Sequence, residues 1–144
     1  MRLVVDSNVL FTYFWKDSAF REICDTGKAE LFTPEFALEE LAKHASELSK
    51  KAGLSPGEFK AARKEMVSQI VVLDLKDYSK HFKECSAALK ALPEDERKKM
   101  QKDIDFLAAA RMVCCPVWSN DRPLARQDAI ILLNTAEVIS LLDL

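Results

Sequence analysis

Leu3-Val4-Val5-Asp6-Ser7-Asn8, near the start of the chain, opens with an apolar run that shows no polar alternation. That pattern marks a short strand buried on both faces of a parallel sheet. Asp6 closes the run, at what would be the strand's carboxyl end. Ser7 or Asn8 can then start a helix carrying Leu10, Phe11, Phe14 and Trp15. A related signature returns in Pro116-Val117-Trp118-Ser119-Asn120-Asp121, where an apolar start is again followed by an acid. Open α/β sheets bind their ligands outside the carboxyl ends of the strands, so Asp6 and Asp121 stand where chemistry is expected.

Strand and helix patterns alternate between these two runs. A second helical stretch extends to about Asp25 and stops at Thr26-Gly27. Glu30-Leu31-Phe32 predicts a second strand. Thr33-Pro34-Glu35 predicts a helix start, with Thr33 as N-cap and Pro34 at the first helical position, and that helix runs to about Lys51. Ser55-Pro56 opens another helix to about Ser68. Ile70 to Leu73 predicts a third strand, and residues 77–91 a helix. After Leu92-Pro93 one long helix is expected as far as Cys115. Pro116 to Trp118 predicts a fourth strand, Ala129 to Leu133 a fifth, and Thr135 to Leu142 a closing helix. The expectation is a three-layer α/β/α sandwich around a central parallel sheet of four to five strands. No internal repeat or low-complexity segment interrupts it.

At 144 residues the chain is expected to form a single domain, residues 1–144, with a substantial core. A hydrophobic fraction of 49% beside 31% charged residues is an ordinary globular balance. No apolar stretch approaches the roughly 20 residues of a membrane helix, and the start lacks the pattern of a secretory signal. Cys24, Cys85, Cys114 and Cys115 make no CxxC pair, so buried reduced thiols in a cytoplasmic protein are expected rather than a zinc site.

Helical phase sorts the remaining acids. In the helix after Thr33 the core face is marked by Leu38, Leu41, Ala45 and Leu48. Glu40 lies about 110° from the centre of that face, able to edge into a pocket, while Glu39 points well away. Asp103 extends the apolar stripe of Leu107, Ala110 and Cys114, whereas Asp105 lies roughly 200° round the wheel and is expected to face out. Each acid also has a bland reading. Asp6 could cap a helix, Asp121 could sit in a turn, Asp103 could be a helix-terminal acid, and Glu40 could be a surface residue. Jointly they form a carboxylate cluster, which repels itself and is costly to desolvate unless a cation neutralises it. Hard oxygen ligands suit Mg²⁺ or Mn²⁺, and that combination points to phosphodiester chemistry.

Val4-Val5-Asp6-Ser7-Asn8, Thr33-Pro34-Glu35-Phe36-Ala37-Leu38-Glu39-Glu40-Leu41, Asp103-Ile104-Asp105-Phe106-Leu107-Ala108-Ala109-Ala110 and Pro116-Val117-Trp118-Ser119-Asn120-Asp121 occur in this order. Together they resemble the PIN-domain ribonucleases, which include the VapC-like toxins of VapBC-type toxin–antitoxin pairs. Nearly the whole chain is covered. The resemblance implies that Asp6, Glu40, Asp103 and Asp121 are both the metal ligands and the catalytic acids. Asn8 matches a small polar residue after the first acid, and Ser119 a hydroxyl that orients a ligand or water. It implies a Mg²⁺- or Mn²⁺-dependent endoribonuclease acting on single-stranded RNA or structured RNA loops, an antitoxin partner for the toxin branch, and a homodimer. The charged middle, residues 50–100, departs from the toxin pattern, and Pro34 to Glu40 is closer to stand-alone prokaryotic PIN proteins.

The formal charge of −2 is low for a nucleic-acid binder, but removing four metal-facing carboxylates, each −1, turns −2 into +2. Lys50, Lys51, Lys60, Arg63 and Lys64 form one basic group, and Arg97, Lys98, Lys99 and Lys102 another; with a metal site they are candidate phosphate contacts. Arg111, Arg122 and Arg126 are further candidates, and His44 lies one turn beyond Glu40. The alternative to an enzyme is a catalytically weak or inactive PIN module that binds RNA or protein. A phosphotransfer domain is the weakest reading, because Asp6-Ser7-Asn8 lacks the second aspartate of the dehalogenase motif.

Overall fold

The structure, a computed structural model, covers residues 1–144. Five strands form one parallel sheet: β1 Arg2–Val5, β2 Glu30–Pro34, β3 Val71–Leu73, β4 Val117–Trp118 and β5 Leu132–Leu133. Their order across the sheet is β3-β2-β1-β4-β5. Leu3, Val4 and Val5 are fully buried, as an unalternated apolar run requires of a strand covered on both faces. Val4 lies beside Phe32 on one side and Val117 on the other, and Val5 lies beside Trp118.

Nine α-helices connect the strands. Between β1 and β2 are α1 (Ser7–Phe11) and α2 (Ala19–Thr26); between β2 and β3 are α3 (Glu35–Ala52) and α4 (Pro56–Ser68). Between β3 and β4 lie α5 (Leu75–Tyr78), α6 (Phe82–Leu89), α7 (Glu94–Gln101) and α8 (Ile104–Val113), and α9 (Thr135–Leu141) closes the chain. The strand order steps one way from β1 through β3 and the other way from β1 to β4. Right-handed crossovers therefore place the first helices and α5–α8 on opposite faces, giving three layers. No helix is long and apolar enough to cross a membrane.

Local signals explain most boundaries. Ser55 and Glu58 close a capping box ahead of Pro56, and Asn134 and Glu137 do the same for α9. Gly27 and Gly53 end α2 and α3 in the left-handed conformation, at φ 66° and 69°. Trp118, fully buried, packs edge-on to Phe20 and donates its indole N–H to the Thr135 hydroxyl at 3.0 Å.

Four expectations are corrected. Thr33 is not a helix cap. It is buried in β2, where its hydroxyl donates to the Val5 carbonyl at 2.9 Å, and Pro34 precedes α3 without a side-chain cap. The long helix expected before Cys115 is two helices, α7 and α8, parted at Lys102 and Asp103. The expected helix over 77–91 is likewise split, by a 3₁₀ turn at Ser79–His81. Cys114 is exposed, not buried, and ends α8 at φ 60° in the place glycine usually takes.

Thr33→Val keeps the shape of the side chain but removes the hydroxyl bonded to Val5, one residue before Asp6. Stability should fall by about 1–2 kcal/mol, the cost of leaving a buried acceptor without its partner. Urea denaturation should show a lower midpoint with an unchanged slope.

Candidate functional site

β1 and β4 are neighbours, and the chain leaves them in opposite directions across the sheet. This is the switch point of the topology, where the loops after two adjacent strands diverge and leave a crevice. Asp6 follows β1 directly, and Asp121 follows β4 by three residues. Glu40 comes to the same place from the second turn of α3. Asp103 reaches it from the start of α8. Four acids from four chain segments thus gather at one edge of the sheet, and each of the other three raises the pKa of Asp103 through its charge.

Each acid is held by a local device. Asp6 is buried and caps α1, its Oδ1 accepting from the Val9 N–H at 2.8 Å. Asp121 accepts from the Leu124 N–H at 3.1 Å across the turn that follows β4. Its own N–H donates to Ser119 Oγ at 3.1 Å. Glu40 is half-buried, and its Oε1 accepts from the Ser7 hydroxyl at 2.6 Å. Asp103 is half-buried at the N-cap position of α8, yet its side chain makes no capping bond. The cap reading of Asp6, the turn reading of Asp121 and the helix-terminal place of Asp103 therefore hold in the same molecule that clusters them. Capping fixes the backbone and leaves carboxylate lone pairs free.

Burial is the main cause that raises the Asp6 pKa, with Asp121 and Glu40 adding charge repulsion. Hydrogen bonds from Ser119 and Val9 oppose it. Burial also leads for Asp103, followed by Asp121, Asp6 and Glu40, and together they push it up to about 7 against a slight opposing effect of Lys102. A site that disfavours its own ionised form has been arranged for something other than carboxylates alone.

The acids open into a cleft of ≈ 750 Å³ whose walls include Asn8, Glu40, Asp103 and Asp121. Lys43, His44, Lys99 and Lys102 line it as well, a mixture of anionic floor and cationic rim. Asn8 is exposed beside the acids, and Ser119 is buried behind Asp121. Glu39 reaches only the exposed margin of the cleft. Asp105 does not face solvent, contrary to the helical-wheel expectation. It is half-buried at the cleft wall and accepts from the Tyr78 hydroxyl at 2.8 Å. Of the three arginines considered for phosphate, Arg111 is paired with Glu84 at 2.5 Å and Arg126 with Glu96, while Arg122 stays exposed. Ser7 escaped the sequence reading. Its signal was its place one residue after the first acid, in the opening turn of a helix that faces α3.

The donor set fits a divalent cation in chemistry: it is all carboxylate oxygen, partly desolvated and mutually repelling. No three Asp, Glu, His or Cys side chains close to ligating distance of a common point. Mg²⁺ keeps several waters and needs only one or two protein carboxylates, so an open arrangement remains compatible with it.

A family model described as PIN domain matches residues 4–133. The chain belongs to the PIN-domain family. No curated protein matches this PIN domain significantly. Among solved structures it is similar to a chain in the crystal structure of VapBC2 from Rickettsia felis bound to a DNA fragment from their promoter. That similarity has a TM-score of 0.69 at 16% identity, covering 93% of this chain and 98% of the other. At that identity the likeness speaks for the fold, and the five-stranded parallel sheet flanked by helices is the PIN architecture.

The raised pKa of Asp103 has a consequence for stability. In chelator, the folded protein retains the Asp103 proton between about pH 4 and 7 while the unfolded chain releases it. The stabilisation is therefore complete below the unfolded pKa and is lost as pH rises through 7. Asp103→Asn should melt a few degrees above wild type at pH 8, and the difference should vanish near pH 4. Added Mg²⁺ should raise the melting temperature of wild type more than that of the variant.

Proposed function

We propose that this PIN domain is a Mg²⁺- or Mn²⁺-dependent endoribonuclease that hydrolyses phosphodiester bonds of single-stranded RNA or RNA loops. PIN domains are in general nucleases. The observation that carries the reading is the gathering of four acids at the topological switch point, with Glu40, Asp103 and Asp121 in the wall of one cleft and Asp6 buried close enough to act on Asp103 through its charge. A divalent cation held there supplies a polarised water and offsets negative charge on the phosphate.

The residues of the chain supply the rest. Asp6 is fixed by the Val9 N–H, and the hydrogen bonds from Val9 and Ser119 partly offset the burial that raises its pKa, so a cation at the switch point would find in it an oriented carboxyl group. Glu40 is oriented by Ser7, and the Ser7 hydroxyl leaves Glu40 Oε2 free. Asp121 is fixed by the turn to Leu124. Lys43, Lys99 and Lys102 line the cleft, and none of them forms a salt bridge, so they can meet phosphate oxygens. His44 is not required as a base, because water attack leaves a 5′-phosphate and a 3′-hydroxyl without using the ribose 2′-hydroxyl.

An antitoxin partner belongs to this reading. VapBC2 from Rickettsia felis supports it through the shared fold, while the charged segment over residues 50–100 sets this chain apart from the toxin pattern. Homodimer formation and a cytoplasmic location accompany it as expectations of the same reading. A second reading, an RNA- or protein-docking PIN module without turnover, is favoured by the open spacing of the acids.

End-labelled single-stranded RNA distinguishes the two. Cleavage by wild type in Mg²⁺ or Mn²⁺, abolished by chelator and by Asp103→Asn or Asp6→Asn, is the expected result. RNA binding without cleavage in either metal would favour the docking module. Ser7→Ala should lower the cleavage rate by about 10-fold, the usual order for a residue that orients a ligand, with little loss of stability.

A further inference from the structure

The acidic cleft does not end at Glu40. A second groove of ≈ 350 Å³ begins there and shares Asn8, Glu40 and His44 with the first. Its remaining walls are Phe11, Trp15, Glu47, Leu48 and Lys51. Phe11 is the last residue of α1 and Trp15 follows the 3₁₀ turn Thr12–Phe14; both are half-buried, whereas Tyr13 and Phe14 between them are buried in the core. The aromatic residues at the end of α1 and in the turn after it are thus divided: two rings pack the interior and two are left at the groove. His44 meets Phe11 edge to face, with ring centroids 6.0 Å apart.

The charge of this groove is largely settled within its own walls. Glu47 is paired with Lys51 at 2.9 Å and lies 3.8 Å from His44 Nδ1. The Lys51 bond and charge hold the Glu47 carboxyl below its ordinary range. Glu40 is the remaining anion, and it belongs to the cluster that would be neutralised by metal. A phosphate at the acids therefore meets little additional repulsion in passing towards Phe11. A volume of this size falls within the range of small-ligand sites, about 300–1,000 Å³.

Aromatic walls beside a phosphate-handling centre suit one occupant. Successive bases of an unpaired strand stack on such rings whatever their sequence. A duplex keeps its bases stacked on one another and cannot offer one sideways. We propose that the groove of Phe11, Trp15 and His44 receives a nucleobase of single-stranded RNA next to the phosphate held at the acids. The strand then runs from the rim of Lys43, Lys99 and Lys102, over Asn8 and Glu40, to Phe11 and Trp15. This path rests on the nuclease reading and adds to it a reason for single-strand preference.

Trp15 supplies its own reporter. The chain has two tryptophans, and Trp118 is fully buried, so RNA-dependent changes in emission belong to Trp15. The probe is a ten-nucleotide single-stranded RNA, titrated with Mg²⁺ into Asp103→Asn protein so that the strand survives. Binding is followed separately by anisotropy of a label on the RNA. Bound RNA is expected to quench Trp15. Trp15→Phe, which retains an aromatic wall, should keep binding and lose the quench. Phe11→Leu, which preserves apolar packing without a π-face, should weaken binding by about tenfold. The same RNA annealed to its complement should leave the emission unchanged.

RNA that binds by anisotropy without altering Trp15 emission, with Phe11→Leu at wild-type affinity, overturns the groove. Equal quenching by the duplex overturns it as well. Either result leaves the nuclease reading intact if wild-type protein still cuts RNA. Conversely, quenching and the Phe11→Leu loss, in a protein that cuts nothing in either metal, support the groove and overturn the nuclease.

Discussion

Parallel pairing of β1 with strands on both sides is the constraint on which the rest of this PIN domain depends. Val4 stands between Phe32 and Val117, and the three residues before Asp6 are sealed from water. A slide by one residue would either draw Asp6 in between the neighbouring strands without water or push buried Val5 out past them. Asp6 is therefore delivered to a fixed depth. The opposite exits from β1 and β4 open the crevice beside it.

Burial and repulsion then act against each other. The fold brings four acids together and desolvates two of them enough to resist ionisation. It offsets part of that cost with fixed donors: the Val9 N–H for Asp6, the Leu124 N–H for Asp121 and the Ser7 hydroxyl for Glu40. Asp103 has no such donor, and it carries the large shift. The residual strain is electrostatic, and a divalent cation is the simplest species that relieves it. The lysine rim stands further out, where it can meet an incoming anion without cancelling the floor.

Helical segments beside the sheet shape access to that centre. The chain after α1 turns through a 3₁₀ segment at Thr12–Phe14, and this turn separates core rings from groove rings. Residues over α7, from the charged middle of the chain, contribute Lys99 and Gln101 to the cleft wall. The connection between β3 and β4 therefore reaches the candidate site through α7.

Composition and pattern by themselves determined the architecture. Buried strands announce themselves by unalternated apolar runs, and Gly27, Gly53, Ser55 and Asn134 mark helix ends through short-range chemistry. They also singled out Glu40 over Glu39, because helical phase is a local property and α3 is one continuous helix. The same reasoning failed for Asp105. It assumed that α8 keeps an open face, but Ile104, Phe106, Leu107, Ala108, Ala109 and Ala110 are all buried, and Tyr78 from α5 covers Asp105. Thr33 looked like a cap because its hydroxyl and Pro34 fit that role. Its real partner, the Val5 carbonyl, is 28 residues away in sequence. Ser7 on Glu40, Tyr78 on Asp105 and the aromatic groove share that origin. Each joins segments distant in the chain, and such contacts exist only after the sheet has set its register and the helices have settled on it.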